Sequence, residues 1–166
     1  MERLQSGTLS PESKSHIYLI IHRRVGTRDR GHRLMPGRFP SPLCHKCEPI
    51  SHPETIQHRY IQCKSVYQTW EWLRNLLLPL DPLLTFCTDE NILFLDFPKS
   101  IRETAIIWLI GTYIEMVERE VVLKNHILNQ VSAIGYFKQK KQKDRYMAMP
   151  EVGLIPFIDW DAQGVG

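Results

Sequence analysis

Residues 44–63 read CHKCEPISHPETIQHRYIQC, and the reading of this stretch decides how the rest of the chain is understood. Cys44, Cys47, His58 and Cys63 stand in the spacing C-x2-C-x10-H-x4-C. A Cys-x-x-Cys pair lets one tight turn aim two sulfurs at a point, and a His and Cys separated by four residues reach the same point from a turn or helix start. Thiolates and imidazole suit Zn²⁺, which takes four ligands tetrahedrally. Four protein ligands close the coordination sphere, so the expected site is structural rather than catalytic. His45 and His52 are spare imidazoles that compete for the fourth place; His58 is preferred because it gives the regular four-residue gap to Cys63. Disulfides or free thiols are the alternative reading, and a redox pair is disfavoured because no βαβ pattern surrounds the motif. Cys87 stands apart beside Phe86 and reads as a small buried residue.

Outward from this motif the pattern is helical. Ser10, Pro11 and Glu12 make a helix start, with a hydroxyl acceptor, a proline in the first turn and an early carboxylate. A helix is expected from about Pro11 to Arg24, and a second short helical or irregular piece from Thr27. The string MPGRFPSPL, with three prolines and a glycine, excludes helix and central strand. After Cys63, the apolar residues Val66, Trp70, Leu73 and Leu77 fall on one helical face, which places Trp70 in a core. Thr88 looks like another cap. Ser100 with Glu103 reads as a capping box that opens the strongest helix, running to about Leu123 or, with a bend, to Gln130. Its apolar stripe is broad enough to imply burial on more than one side. Gly135 is a plausible stop, and the lysine-rich FKQKKQKDR and the tail beyond it read as a solvated end.

The expected fold is therefore mainly α: a small helical domain with a zinc-stapled loop between helices. Four segments follow from the pattern: a basic N-terminal helix and linker (1–43), the metal motif and following helix (44–78), a C-terminal helical region (79–135), and a basic segment with a flexible tail (136–166). A chain of 166 residues with 43% apolar composition fits one globular domain and excludes disorder throughout. The opening residues contain no secretory apolar segment, and the longest apolar run, Ala105 to Ile114, is half of what a bilayer requires. A nuclear or cytoplasmic, unsecreted protein without membrane partners is expected.

Charge is distributed unevenly. Met1 to Cys47 carries nine Lys/Arg against three Asp/Glu, while the remainder is slightly acidic. A basic block beside a near-neutral core points to an anionic partner.

The stretch SPLCHKCEPISHPETIQHRYIQCKSVYQTWEWL resembles the zinc-binding domain that follows the polymerase in non-LTR (LINE-type) retrotransposon reverse transcriptases. In those proteins C-x-x-C, a short acidic stretch, E-T-x-x-H and x4-C precede a Val and a Trp; Glu54, Thr55, His58, Cys63, Val66 and Trp70 follow that order. The upstream VGTRDRGHRLMPGRFPSPLC is similar to the helix and basic turn that lead into the domain. The likeness extends over about Leu9 to Leu78. It implies Zn²⁺ as cofactor, RNA and/or single-stranded DNA as partner, and the polymerase portion of the same polyprotein as neighbour. The palm carboxylates of a polymerase, usually in a Y-x-D-D turn, are absent, so no polymerase activity is expected of this chain. The pairs Asp89 with Glu90 and Glu118 with Glu120 have no partner constellation in the sequence. Hydrolase signatures of the G-x-S-x-G, P-loop and H-E-x-x-H kinds are absent too.

Two functions remain. The first is a zinc-stapled nucleic-acid-binding module in which Arg23, Arg24, Arg28, Arg30, Arg33 and Arg59 contact phosphates and Tyr60 stacks on a base. The second is a structural or protein-interaction domain whose long helix after Ser100 packs on a polymerase or a second copy.

Overall fold

The computed structural model describes residues 9–144, and among these it is mainly α. The helices are α1 (Pro11–Ile21), α2 (Arg28–Leu34), α3 (Tyr67–Leu77), α4 (Asp89–Leu93), α5 (Glu103–Met116) and α6 (Gln130–Asp144). An isolated antiparallel bridge, Leu43 with Pro53, is the extended pairing present in the described part.

Helix α1 starts as its sequence dictates: Ser10 Oγ accepts the N–H of Ser13 at 3.1 Å and Pro11 occupies the first turn. It ends a little before Arg24, because Arg23 takes a left-handed conformation (φ 52°) that turns the chain away. Thr27 then caps α2 by accepting from the Arg30 N–H at 3.3 Å. Thr88 caps α4 in a reciprocal box with Asn91.

Helix α5 is the centre of the fold. Every residue from Ala105 to Met116 is buried, so the breadth of its apolar stripe is explained by neighbours on all sides: α1, α3 and α6 each pack on it. The crossing with α1 is close. A Cβ at Gly111 would lie 2.5 Å from Leu9 Cδ2 and 3.3 Å from Ile17 Cδ1, closer than packed carbon atoms tolerate. Trp70, in phase with Val66 and Leu73 as expected, stacks edge-on against Tyr113 of α5 with ring centroids 5.4 Å apart. Phe137 of α6 receives the edges of Trp72 and Trp108 at 5.3 and 6.0 Å. Such pairs add to the area they bury.

Three expectations are corrected. Ser100 does not cap α5: its Oγ accepts the N–H of Arg102 at 3.2 Å in a local turn, and the helix begins at Glu103. Ile101 is consequently 97% exposed rather than part of the stripe. After α5, a π-helical stretch, Val117–Leu123, closes the long helix where Asn125 adopts φ 58°. The chain then starts again at α6, whose first turn is capped by Asn129 Oδ1 accepting from the Ser132 N–H at 2.9 Å. Gly135 lies inside α6 and stops nothing. A mid-helix glycine costs about 1 kcal/mol, and burial of Phe137 in the aromatic cluster outweighs that. The lysine-rich segment continues α6 with Lys138, Gln139, Gln142 and Lys143 exposed, as a solvated end requires, while Phe137 and Lys140 reach the core and the expected flexible tail lies outside the described residues.

Candidate metal centre

Two short devices converge on one point. The first is a hairpin-like loop. Around the Leu43–Pro53 bridge, the Cys44 N–H donates to the His52 carbonyl at 2.8 Å and the Glu54 N–H to the Pro42 carbonyl at 2.9 Å. At its tip a single 3₁₀ turn, His45–Cys47, brings both sulfurs of the C-x-x-C pair to the same side.

The second device is a π-helical turn, His58–Gln62. Its start is fixed by Thr55, whose Oγ1 accepts the His58 N–H at 3.1 Å and whose carbonyl accepts the Arg59 N–H at 3.0 Å. Its end is the Cys63 N–H, which donates to the His58 carbonyl at 2.8 Å. Glu54 ties this turn to the basic segment: Oε2 accepts the Arg28 N–H at 2.8 Å and Oε1 accepts from Arg59 Nε at 3.3 Å. The E-T of the motif therefore has a mechanical role, one residue anchoring α2 and the next capping the turn that carries the histidine.

The result is a cluster of Cys44, Cys47, His58 and Cys63 whose four ligand atoms all lie within 4.8 Å of one another, able to hold a metal ion. Cys44 Sγ is 3.9 Å and Cys47 Sγ 3.7 Å from Cys63 Sγ, and Cys47 Sγ is 3.4 Å from His58 Nε2. A tetrahedral site with metal–sulfur bonds of about 2.3 Å and metal–nitrogen of about 2.0 Å requires sulfurs about 3.8 Å apart and sulfur to nitrogen about 3.5 Å. The distances fit. All four cysteines are free thiols, so the disulfide reading falls. Cys87 is half-buried and apart from the cluster, with its thiol directed at the Leu83 carbonyl.

Burial sets the protonation of these groups. Burial pushes the Cys44 thiol up to about 12, and the neighbouring Cys63 and Cys47 add to the rise, against a backbone N–H of Lys46 that favours the charged sulfur. Cys63 is raised for the same reason, opposed by the N–H of Ser65. Without an ion these sulfurs stay protonated, whereas a bound divalent ion deprotonates its thiols outright. Burial and the adjacent His52 hold His58 below the usual imidazole range, against the pull of Glu54. A neutral imidazole is the form that ligates.

The residues expected at a nucleic-acid surface divide into two groups. Arg23, Arg24 and Arg33 are exposed, and Arg30 is half-buried. Arg23, Arg30 and Arg33 line a cleft of about 160 Å³ together with Asp29, which pairs with Arg33 at 2.8 Å, and with Thr55, Ile56 and Gln57 just ahead of the metal turn, while Arg30 donates to the Arg23 carbonyl at 2.8 Å. Arg28 instead reaches the Ser41 carbonyl and secures the linker.

Arg59 and Tyr60 do not belong to that surface, which corrects the sequence reading. Arg59 is 9% exposed and pairs with Glu54 at 3.3 Å and Glu118 at 3.5 Å, while also donating to the Gly26 carbonyl. Tyr60 is 1% exposed; its hydroxyl donates to Glu118 Oε1 at 2.7 Å, and its carbonyl accepts from the Tyr113 hydroxyl at 2.5 Å. Glu118, without a partner in the sequence, is the anchor that fixes the metal turn to the end of α5. No local spacing reveals a partner 58 residues away. The sequence also misses Glu115, a buried carboxylate that accepts from Ser10, Ser13, Tyr136 and Lys140 and so joins α1, α5 and α6.

None of the described helices is long and apolar enough to cross a membrane. No protein-family model, curated protein or solved structure matches the chain.

Proposed function

We propose that Cys44, Cys47, His58 and Cys63 hold one Zn²⁺ and that the domain it staples binds single-stranded nucleic acid, as the resemblance to the region after a non-LTR retrotransposon polymerase suggests. Zinc is favoured over other ions by the donor set: three thiolates and an imidazole in a closed tetrahedron suit a d¹⁰ ion with no need of a further ligand. The metal's part is structural. It supplies the charge that lets three sulfurs share a buried site, and it locks the hairpin to the π-turn.

The observation that carries the nucleic-acid reading is the cleft of Arg23, Arg30 and Arg33 on the flank of the metal turn. Arginine forks recognise phosphate geometry, and Arg24 extends the basic surface on the α1 side. Anisotropy of a labelled single strand across a salt series tests the reading. Log K is expected to fall by roughly 0.7 per phosphate neutralised for each unit of log salt. Arg23→Ala, Arg24→Ala, Arg30→Ala and Arg33→Ala each flatten that slope. Absence of binding at low salt overturns the reading.

The interaction-domain alternative changes shape. Its expected surface, α5, is consumed inside the fold. Exposed Leu123, Ile127 and Val131 beside the α5–α6 connection are what favours it now. Self-association in analytical ultracentrifugation that Ile127→Asp abolishes, without nucleic-acid binding, would decide for it.

A further inference from the structure

Burial of Tyr60 leaves the basic face without the aromatic group that a single strand stacks on, and the structure places another one there. Tyr18 is 42% exposed on the outer face of α1, opposite the buried Ile17 and Ile20. His22, one turn later, is exposed as well, and the two rings lie 4.2 Å apart between centroids at 49°. The helix ends at that point. Tyr18 sits on the last turn of α1 and His22 is its C-cap, and the left-handed turn at Arg23 leads the chain from there into α2. Arg23 lies with its guanidinium 5.0 Å from the centre of the Phe94 ring and 3.5 Å from Glu90, and it lines the cleft with Arg30 and Arg33. His22 thus directly precedes the cleft residue Arg23 in the chain, and Arg24, next along, is exposed.

Resting on the nucleic-acid reading above, we propose that Tyr18, braced by His22, is the stacking platform for an unpaired base of a single-stranded nucleic acid whose phosphates lie in the Arg23, Arg30 and Arg33 cleft. The occupant follows from charge and shape together. An aromatic face exposed next to arginines matches a polyanion with accessible π-faces, and a duplex hides those faces within its stack. Stacking is indifferent to base identity, so sequence preference is weak. The phosphate contacts carry the salt dependence and the ring carries affinity at every salt concentration.

The test uses the full chain loaded with zinc and a fluorescently labelled mixed-sequence oligonucleotide, as a single strand and as a duplex, in anisotropy titrations over a salt series. Tyr18→Ala is expected to weaken single-strand binding roughly tenfold at every salt concentration, to leave the salt slope unchanged, and to remove the preference for single strand over duplex. Tyr18→Phe keeps wild-type behaviour because the ring remains. Unchanged affinity in Tyr18→Ala, with the arginine variants still flattening the slope, overturns the stacking platform and leaves the nucleic-acid reading standing. A loss in Tyr18→Phe equal to that in Tyr18→Ala also overturns it, since the hydroxyl would then be the contact. If the wild-type chain binds no strand at low salt, both proposals fall together.

Discussion

The N–H of Cys63 donates to the carbonyl of His58 at 2.8 Å, so one backbone hydrogen bond spans the two candidate ligands of the H-x4-C half of the cluster. This is an i to i+5 bond, the closure of a π-turn, and it is what a gap of four residues provides. A gap of three would close an ordinary α-turn and aim the sulfur about 100° away around the helix axis. The π-turn also buries Arg59, Tyr60 and Ile61 between the ligands. Arg59 and Tyr60 are held there by Glu118, and for that reason they serve the fold instead of a ligand surface.

Metal stoichiometry distinguishes the ligands from their neighbours. Cys47→Ser, Cys63→Ser and His58→Ala are each expected to lose stoichiometric zinc in a native mass spectrum, with the loop unfolding because site formation and metal binding are one equilibrium. Cys87→Ser, His45→Ala and His52→Ala retain one ion per chain. Full zinc in His58→Ala would assign the imidazole to another histidine.

Arg59 is a stability residue. Its guanidinium, though penalised by burial, is held in its charged form by Glu54 and Glu118. Arg59→Ala leaves two nearly buried carboxylates facing each other's charge, and removal of one partner from such a buried network costs roughly 3 to 5 kcal/mol. Urea unfolding of the zinc-loaded protein measures that loss. The salt slope of nucleic-acid binding by the folded fraction stays that of the wild type, in contrast to the exposed arginines.

Glu115 sets an acid limit. Burial opposes its charge, but hydrogen bonds from Lys140, Ser13 and Ser10 together with the Lys140 charge outweigh that and hold the carboxyl below the ordinary glutamate range. A folded pKa lower than the unfolded one means that the stabilisation is complete above the ordinary value, about 4.3. It is lost as pH falls through the lowered one. The difference in urea midpoint between wild type and Glu115→Gln is therefore constant from pH 8 to about 5 and shrinks below the ordinary range. Acid release of metal affects both chains and cancels in the difference. A gap that widens on acidification would contradict the assignment.

What the sequence made legible was local. The Ser10 and Thr88 caps, the face of Val66, Trp70 and Leu73, and the four candidate ligands all declare themselves through spacings of a few residues. What it hid depends on partners far along the chain. Ser100 and Glu103 have the spacing of a capping box, yet a competing turn at Arg102 satisfies Ser100 first. Gly135 has the look of a terminus, yet Phe137 is held by Trp72 and Trp108, which precede it by 65 and 29 residues. Tyr60 beside Arg59 has the look of a nucleic-acid contact. Only the arrival of Glu118 from the π-helical stretch after α5 turns both inward.

X-ray absorption at the zinc edge of the purified protein addresses the central claim most directly, because it counts the ligand atoms. A closed Cys44, Cys47, His58 and Cys63 centre predicts three sulfurs at about 2.3 Å and one nitrogen at about 2.0 Å, with no water oxygen in the shell. A shell with two sulfurs, one containing a solvent oxygen, or protein that carries no zinc at all would contradict it.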